Sequence, residues 1–470
     1  MPYENQYADK SSHFDIVRNP DVATFLKECE FLKPPSDEEG AAMAAKYITP
    51  PSTHGIALPQ RVIALDGSFY ESSIDERLPS TKIGYVKVGA ILIHLAEFQA
   101  LRQGEFVDPF RVARLKENND ALTFSLPSAN IRSKGRSSVT EAFRAAVDQG
   151  LHSERTRFVP GDPTTSLRST LFELASRRKH GTGDPSRLHL HRCPSDSCDA
   201  KELEVKDLAG IQRCSVCNTE IFAADSLRLY EEVNEFQSNQ VPMSRFMLVL
   251  EHMLPVHYCR YLLTVAPQLL SETAFFIDGP LAIFGTAAWL HASLLSFLSD
   301  VNKRLVSMGL RPMLVIGLQK TGQVVDHAMM VSKFIPNDRL LAIDDDYRYK
   351  YILAGRDPSA NGFGGETYYG QDFIFRTTTG RTFVFGMPYP FATKAESKDF
   401  TTEKVQVERY TELSRALALI KHFESDLYQN AVVPIALAHR YTAISLMPGG
   451  RVLDVMTKHA LDTKTGSEKK

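Results

Sequence analysis

The chain reads as an α/β protein: one mixed sheet, flanking helices and a small cysteine-bearing module inserted between its parts. Three observations carry that expectation. Two Val/Ile-rich runs, 61–74 and 81–95, are joined by a turn-like DERLPS and read as an antiparallel hairpin. Two later apolar runs, 271–281 and 312–322, are each followed by a helical pattern, as in sheets whose strands connect through helices. Four cysteines fall in two close pairs within a polar stretch.

Composition sets the bounds. At about 150 residues per domain, 470 residues correspond to two or three domains or to one with large insertions. Hydrophobic residues make up 43% and charged residues 23%, which excludes a disordered or collagenous chain. Lys+Arg is 54 against Asp+Glu 56, so a globally basic nucleic-acid coat is excluded, although a local basic surface is not. MPYENQYADK lacks the basic and apolar regions of a secretory signal. Residues 279–299 carry no Asp, Glu, Lys or Arg and are long enough to span a bilayer. Their Ser, Thr and His residues, the opening Gly279-Pro280 and the flanking Asp278 and Asp300 favour a buried helix. The expectation is a cytoplasmic protein without a membrane span.

Residues 1–55 form an N-terminal extension with loop-like PPSDEE and PPST segments, and 56–110 open the sheet. Residues 111–239 read as an insertion. Between 151 and 192 it has eight Lys/Arg against four Asp/Glu, which suits either a solvated segment or a local nucleic-acid contact surface. Residues 240–450 return to core patterns. They comprise a helix over 243–263 with a break expected at Pro255, a strand ending in Asp278, the uncharged helix, and a strand ending near Lys320 with a helix after it. A hairpin over 372–389, a helix over 407–428 and a last helix over 432–446 with Pro434 in its first turn complete the core. Residues 451–470 read as a tail that frays at its end.

Asp66 (ALDGS) and Asp278 (FIDGP) each end an apolar run and precede a glycine. A carboxylate at the end of a buried strand is costly unless it is paired or binds a cation, and a neighbouring glycine admits close approach. Asp-Gly is also a common turn dipeptide, so either residue alone reads as a turn. Two equivalent contexts read as a site for Mg2+ or Mn2+, which favour hard oxygen ligands. Glu251 sits on an apolar helix and is either a solvent-facing residue or a third carboxylate. Lys320 is an ordinary strand-end lysine or a counter-charge for phosphate. His439 (IALAHRYTAI) is a structural histidine, a metal ligand or a proton shuttle.

Cys193 and Cys198, then Cys214 and Cys217, have the pairing of a four-thiolate structural Zn2+ site, a zinc-ribbon-like module over about 189–222. His189 and His191 are alternative ligands, and Cys29 and Cys259 read as core residues.

ALDGSF, the Glu251 helix, FIDGPL, the strand ending in Lys320 and VPIALAHRYTAI together resemble the NurA nuclease family, over 56–110 and 240–450. The resemblance implies an RNase H-like core with Asp on the first strand, Glu on the first long helix and a second Asp on a later central strand. It implies a Mn2+- or Mg2+-dependent deoxyribonuclease using Asp66, Glu251, Asp278 and His439 as ligands. It also implies a homodimer that works on DNA with a hexameric HerA-like ATPase, in end processing and repair or in antiviral defence. Where the family often has a Tyr before the motif's Pro, this chain has Ala431-Val432-Val433-Pro434, and the nearest Tyr is Tyr428. The competing expectation is a non-catalytic DNA-binding or adaptor subunit of an ATPase complex, acting through the zinc module and the basic insertion.

Overall fold

The computed structural model of the chain describes residues 11, 13–75, 78–100, 102–103, 106–107, 119–425, 431–445 and 448–466. Its frame is an eight-stranded mixed sheet. The strands are β1 (Arg61–Ser73), β2 (Lys82–His94), β3 (Asn119–Pro127), β4 (Thr273–Asp278), β5 (Leu314–Gln319), β6 (Arg339–Ala342), β7 (Gly370–Arg376) and β8 (Thr382–Pro388). Their spatial order is β6-β7-β8-β5-β4-β1-β2-β3. β1, β4 and β5 run parallel side by side, whereas β1–β2 and β2–β3 pair antiparallel. This agrees with the RNase H-like sheet that the resemblance implies: an antiparallel opening, then the two Asp-bearing strands as neighbours. β6, β7 and β8 extend the sheet with antiparallel pairings.

The helices that cover it are α1 (Val139–His152), α2 (Leu167–Ser176), α3 (Gln240–Val265), α4 (Leu290–Ser307), α5 (Gln323–Val331), α6 (Leu413–Phe423), α7 (Val433–Thr442) and α8 (Gly449–Gly466). Because side chains alternate along a strand, each face takes every second residue. Ile63, Leu65, Phe275, Ile277 and Val315 pack in the same core cluster as residues of α1–α4. Val62, Ala64, Ala274, Phe276, Leu314, Ile316 and Leu318 pack on the opposite face with α6 and α7. A smaller core joins α5 to the N-terminal helix Asp37–Ala44.

Several elements differ from the sequence expectation. α3 runs through Pro255 for 26 residues without a break. Pro255 forfeits one helix hydrogen bond and crowds the carbonyl one turn earlier, and the burial of its neighbours on α3 outweighs that cost. Residues 279–299 are not one helix. Gly279 and Gly285 adopt positive φ, the segment between them bridges to the strand-like backbone at Tyr368, and α4 begins only at Leu290. Among the described residues no helix is long and apolar enough to cross a membrane.

Residues 119–127, expected within the insertion, supply the edge strand β3, where Phe124 and Leu126 alternate into the core. α1 and α2 are largely buried rather than solvated. The basic stretch is mostly consumed in ion pairs: Arg157 with Glu154, Arg168 with Asp148 and Asp207, Arg177 with Asp300, Arg187 with Asp184, and Arg192 with Glu231. Far less free positive charge remains than the count implied.

The chain after 446 is not a simple tail. The helix over 432–446 is confined to Val433–Thr442, and α8 follows. α8 is tied to the hairpin by Tyr70 and Ser72 donating to Asp454 and by a Tyr85–Thr457 hydroxyl contact. Residues 467–470 and Tyr428 lie outside the described residues.

Two glycines let helices close on β1 and β2. A Cβ at Gly67 would sit 2.5 Å from Met247 Cγ and 2.8 Å from Glu251 Oε1 of α3. A Cβ at Gly89, the register partner of Asp66, would sit 2.8 Å from Thr442 Cγ2 and 2.9 Å from Tyr441 Cδ1 of α7. Gly89→Val is therefore expected to destabilise the fold by about 1–3 kcal/mol through overpacking. Urea denaturation checks this, and an unchanged midpoint would contradict the close α7 approach.

Candidate metal centre

Parity builds the site. Asp66 continues the series Val62, Ala64 on β1, and Asp278 continues Ala274, Phe276 on β4. Lys320 continues Leu314, Ile316, Leu318 just past β5. All three therefore project from the α6/α7 face at the carboxyl ends of adjacent parallel strands. The register pairs Leu65 with Ile277, which brings the two aspartates side by side.

Lys320 Nζ lies 2.7 Å from Asp278 Oδ2 and 3.6 Å from Asp66 Oδ1. α7 crosses the same face and places His439 Nδ1 3.5 Å from Asp66 Oδ2. The His439 side chain is 52% exposed, so it forms the mouth of a site whose floor, Asp66, is 2% exposed. The ligand atoms of Asp66, Asp278 and His439 lie within 4.8 Å of one another.

Glu251 reaches the site from the other side of the sheet. It projects from α3 beside Gly67, whose backbone amide favours its charged form. It stands outside the compact group of Asp66, Asp278 and His439 but within its electrostatic reach. Burial, then Asp66 and Asp278, holds the Glu251 carboxyl well above the usual range. Burial, then its contact with Asp66, pushes Asp278 up as well, against the pull of Lys320. Burial, with Lys320 close by, lowers the His439 imidazole. Three carboxyl groups around one ammonium raise one another's proton affinity, and hard oxygens beside an imidazole are a donor set that suits Mg2+ or Mn2+.

Two supporting residues escaped the sequence reading. Thr442, fully buried, donates its hydroxyl to Asp66 Oδ2. It lies three residues after His439, on the same side of α7, and that spacing is the signal that could have found it. Lys87 Nζ donates to the Tyr441 carbonyl at 2.5 Å and lies 4.2 Å from the Tyr441 ring centroid. A cation thus caps the last turn of α7 and holds it against β2.

The cysteine module is separate. Cys193 Sγ lies 3.6 Å from Cys217 Sγ, and Cys198 Sγ 3.9 Å from Cys214 Sγ. These spacings are too long for disulfides and bracket the roughly 3.8 Å edge of a tetrahedron with Zn–S of 2.3 Å. Short hairpins, Arg187–Arg192 with Lys201–Lys206 and Gln212–Arg213 with Glu220–Ile221, present the thiols. Asn218 takes a positive φ in the second turn. His189 and His191 do not join the cluster; His191 is exposed and pairs with Glu202 at 3.4 Å. The four thiols thus fit a zinc ion without either histidine.

No family model and no curated protein matches the chain. Among solved structures it is similar to the NurA nuclease from Sulfolobus solfataricus, at 10% identity and TM-score 0.31, over 97% of this chain and 96% of that one. It is also similar to a second NurA structure, at 12% identity and TM-score 0.27, over 95% and 97%. At such TM-scores the likeness bears on neither the site nor an activity.

Thr442→Val keeps the side-chain shape but removes a donor from a buried carboxylate. Expected is a loss of about 1–2 kcal/mol in stability, read from chemical denaturation. For the thiolate site, elemental analysis is expected to find one bound zinc per chain in the wild type. Cys214→Ser should lose that zinc and expose 187–222 to proteolysis; full zinc retention would contradict the assignment.

Proposed function

We propose that the chain is a metal-dependent deoxyribonuclease that hydrolyses phosphodiester bonds at Asp66, Asp278, His439 and Glu251. The observation that carries this reading is the convergence of two strand-end aspartates, a mouth histidine and a lysine on one face of the sheet. Asp66, Asp278 and His439 would hold the cation directly. Glu251 would complete its surroundings from the α3 side. When bound, Mg2+ or Mn2+ supplies charge that polarises a phosphate and makes water more acidic.

The protein's own groups do the rest. Lys320, already between the two aspartates, is placed to offset charge on a phosphate as it is attacked. His439 stands where a proton can be taken up or passed to solvent. Thr442 holds the Asp66 rotamer. Cys193, Cys198, Cys214 and Cys217 would hold a zinc ion with four thiolates, a structural rather than a catalytic set of ligands. On the same reading, the protein acts on DNA as a cytoplasmic homodimer with a HerA-like ATPase, in end processing and repair or in antiviral defence. These partners rest on the motif resemblance alone, and co-purification with such an ATPase tests them.

Purified protein is expected to degrade linear DNA only when Mn2+ or Mg2+ is supplied. Asp66→Asn and Asp278→Asn should each lower the rate by about two orders of magnitude or more, the scale of removing transition-state charge stabilisation. Wild-type rates in both variants would sink the proposal.

A further inference from the structure

A second pocket, unrelated to the carboxylates, opens between α2, α3 and α4, with an accessible volume of about 440 Å3. On α3, Arg260 lies nine residues beyond Glu251, about 14 Å along the helix axis at 1.5 Å per residue. Its chemistry differs from that of the metal centre. Three rings form a continuous stack on one wall: His257 against Phe158 at 4.4 Å and Phe158 against Tyr261 at 4.6 Å, with an interplanar angle of 14° for the second pair. Three arginines, Arg177, Arg260 and Arg304, line the remainder beside Glu173 and Asp300.

The charges are unevenly matched. Arg177 takes both carboxylates, Glu173 at 2.9 Å and Asp300 at 2.6 Å. Arg260 and Arg304 have no carboxylate within ion-pair distance among the described residues. Arg260 is held in place by neutral acceptors: its NH1 donates to Thr170 Oγ1 at 2.8 Å. Thr170 in turn contacts His257 Nδ1 at 2.8 Å, and His257 Nε2 meets the Thr156 carbonyl at 2.8 Å. A largely buried guanidinium oriented by a hydroxyl, with Glu173 and Asp207 acting on it only from beyond ion-pair distance, is suited to receive an anion. Planar stacking surface beside free guanidinium charge fits a base joined to a phosphate.

We propose that this pocket binds a nucleoside 5′-phosphate unit, its base stacked at Tyr261 and its phosphate held by Arg260 and Arg304. Such a unit is supplied either by a free mononucleotide or by the end of a single strand. The pocket stands whether or not the carboxylate centre cuts DNA, because none of its residues belongs to that centre.

The test is calorimetric titration of the full-length protein with dAMP, deoxyadenosine, inorganic phosphate and a 5′-phosphorylated oligo-dA. Wild type is expected to bind dAMP saturably, and more tightly than deoxyadenosine or phosphate alone. Arg304→Glu, on an exposed helix surface, and Tyr261→Leu should each weaken dAMP about tenfold or more, with unchanged thermal unfolding. Asp278→Asn should bind dAMP like wild type, which separates failure here from failure of the nuclease reading. Tighter binding of the oligonucleotide, also weakened by Arg304→Glu, identifies a strand end as the occupant. Equal affinities identify the free nucleotide. Absence of saturable dAMP binding, or an affinity unaffected by both pocket variants, overturns the proposal.

Discussion

Like charges held together at the ends of parallel strands are the constraint on which the rest of the site depends. Asp66 and Asp278 are carried to one place by the β1–β4 register, and neither can move away without disturbing a strand buried on both faces. The ammonium of Lys320 offsets part of their repulsion. Glu251 adds a further carboxylate from the opposite face, and its proton affinity rises in response. Titratable groups whose proton affinities are shifted by burial and by one another mark a candidate functional site.

Much of the surrounding architecture keeps two helices unusually near the sheet. Gly67 lets α3 bring Glu251 up to the β1 backbone, and Gly89 lets α7 bring His439 and Thr442 over Asp66. Lys87 then fastens the end of α7 by the Tyr441 carbonyl. Helix, strand and carboxylate are thus set by steric gaps in β1 and β2, on opposite faces of the same two strands. The hairpin α8 contacts at Tyr70, Ser72 and Tyr85 extend this support beyond the site.

The segment between β3 and α3 follows a different logic. Several of its arginines are spent on structure: Arg144 with Asp225, Arg168 with Asp148 and Asp207, and Arg177 with Asp300. A paired guanidinium has little charge left for a phosphate, which is why a composition count overstated this surface. Arg260, outside this segment on α3, differs from them: its guanidinium is oriented by the Thr170 hydroxyl, with no carboxylate within ion-pair distance among the described residues.

What could be read from the chain alone was periodic or local. The β1–β2 and β7–β8 hairpins, the strands ending at Asp278 and near Lys320, and the paired thiols all announce themselves in short windows. β3, α8 and the continuity of α3 through Pro255 did not, because each depends on partners distant in sequence that outweigh a polar composition or a missing amide. The candidate residues were legible by type and strand position. Their meeting was decided by a parallel register that joins positions 212 apart in sequence, by the parity that points 66, 278 and 320 to one face, and by two absent Cβ atoms. Alternation is written in sequence; which strands become neighbours is settled only when the whole sheet packs.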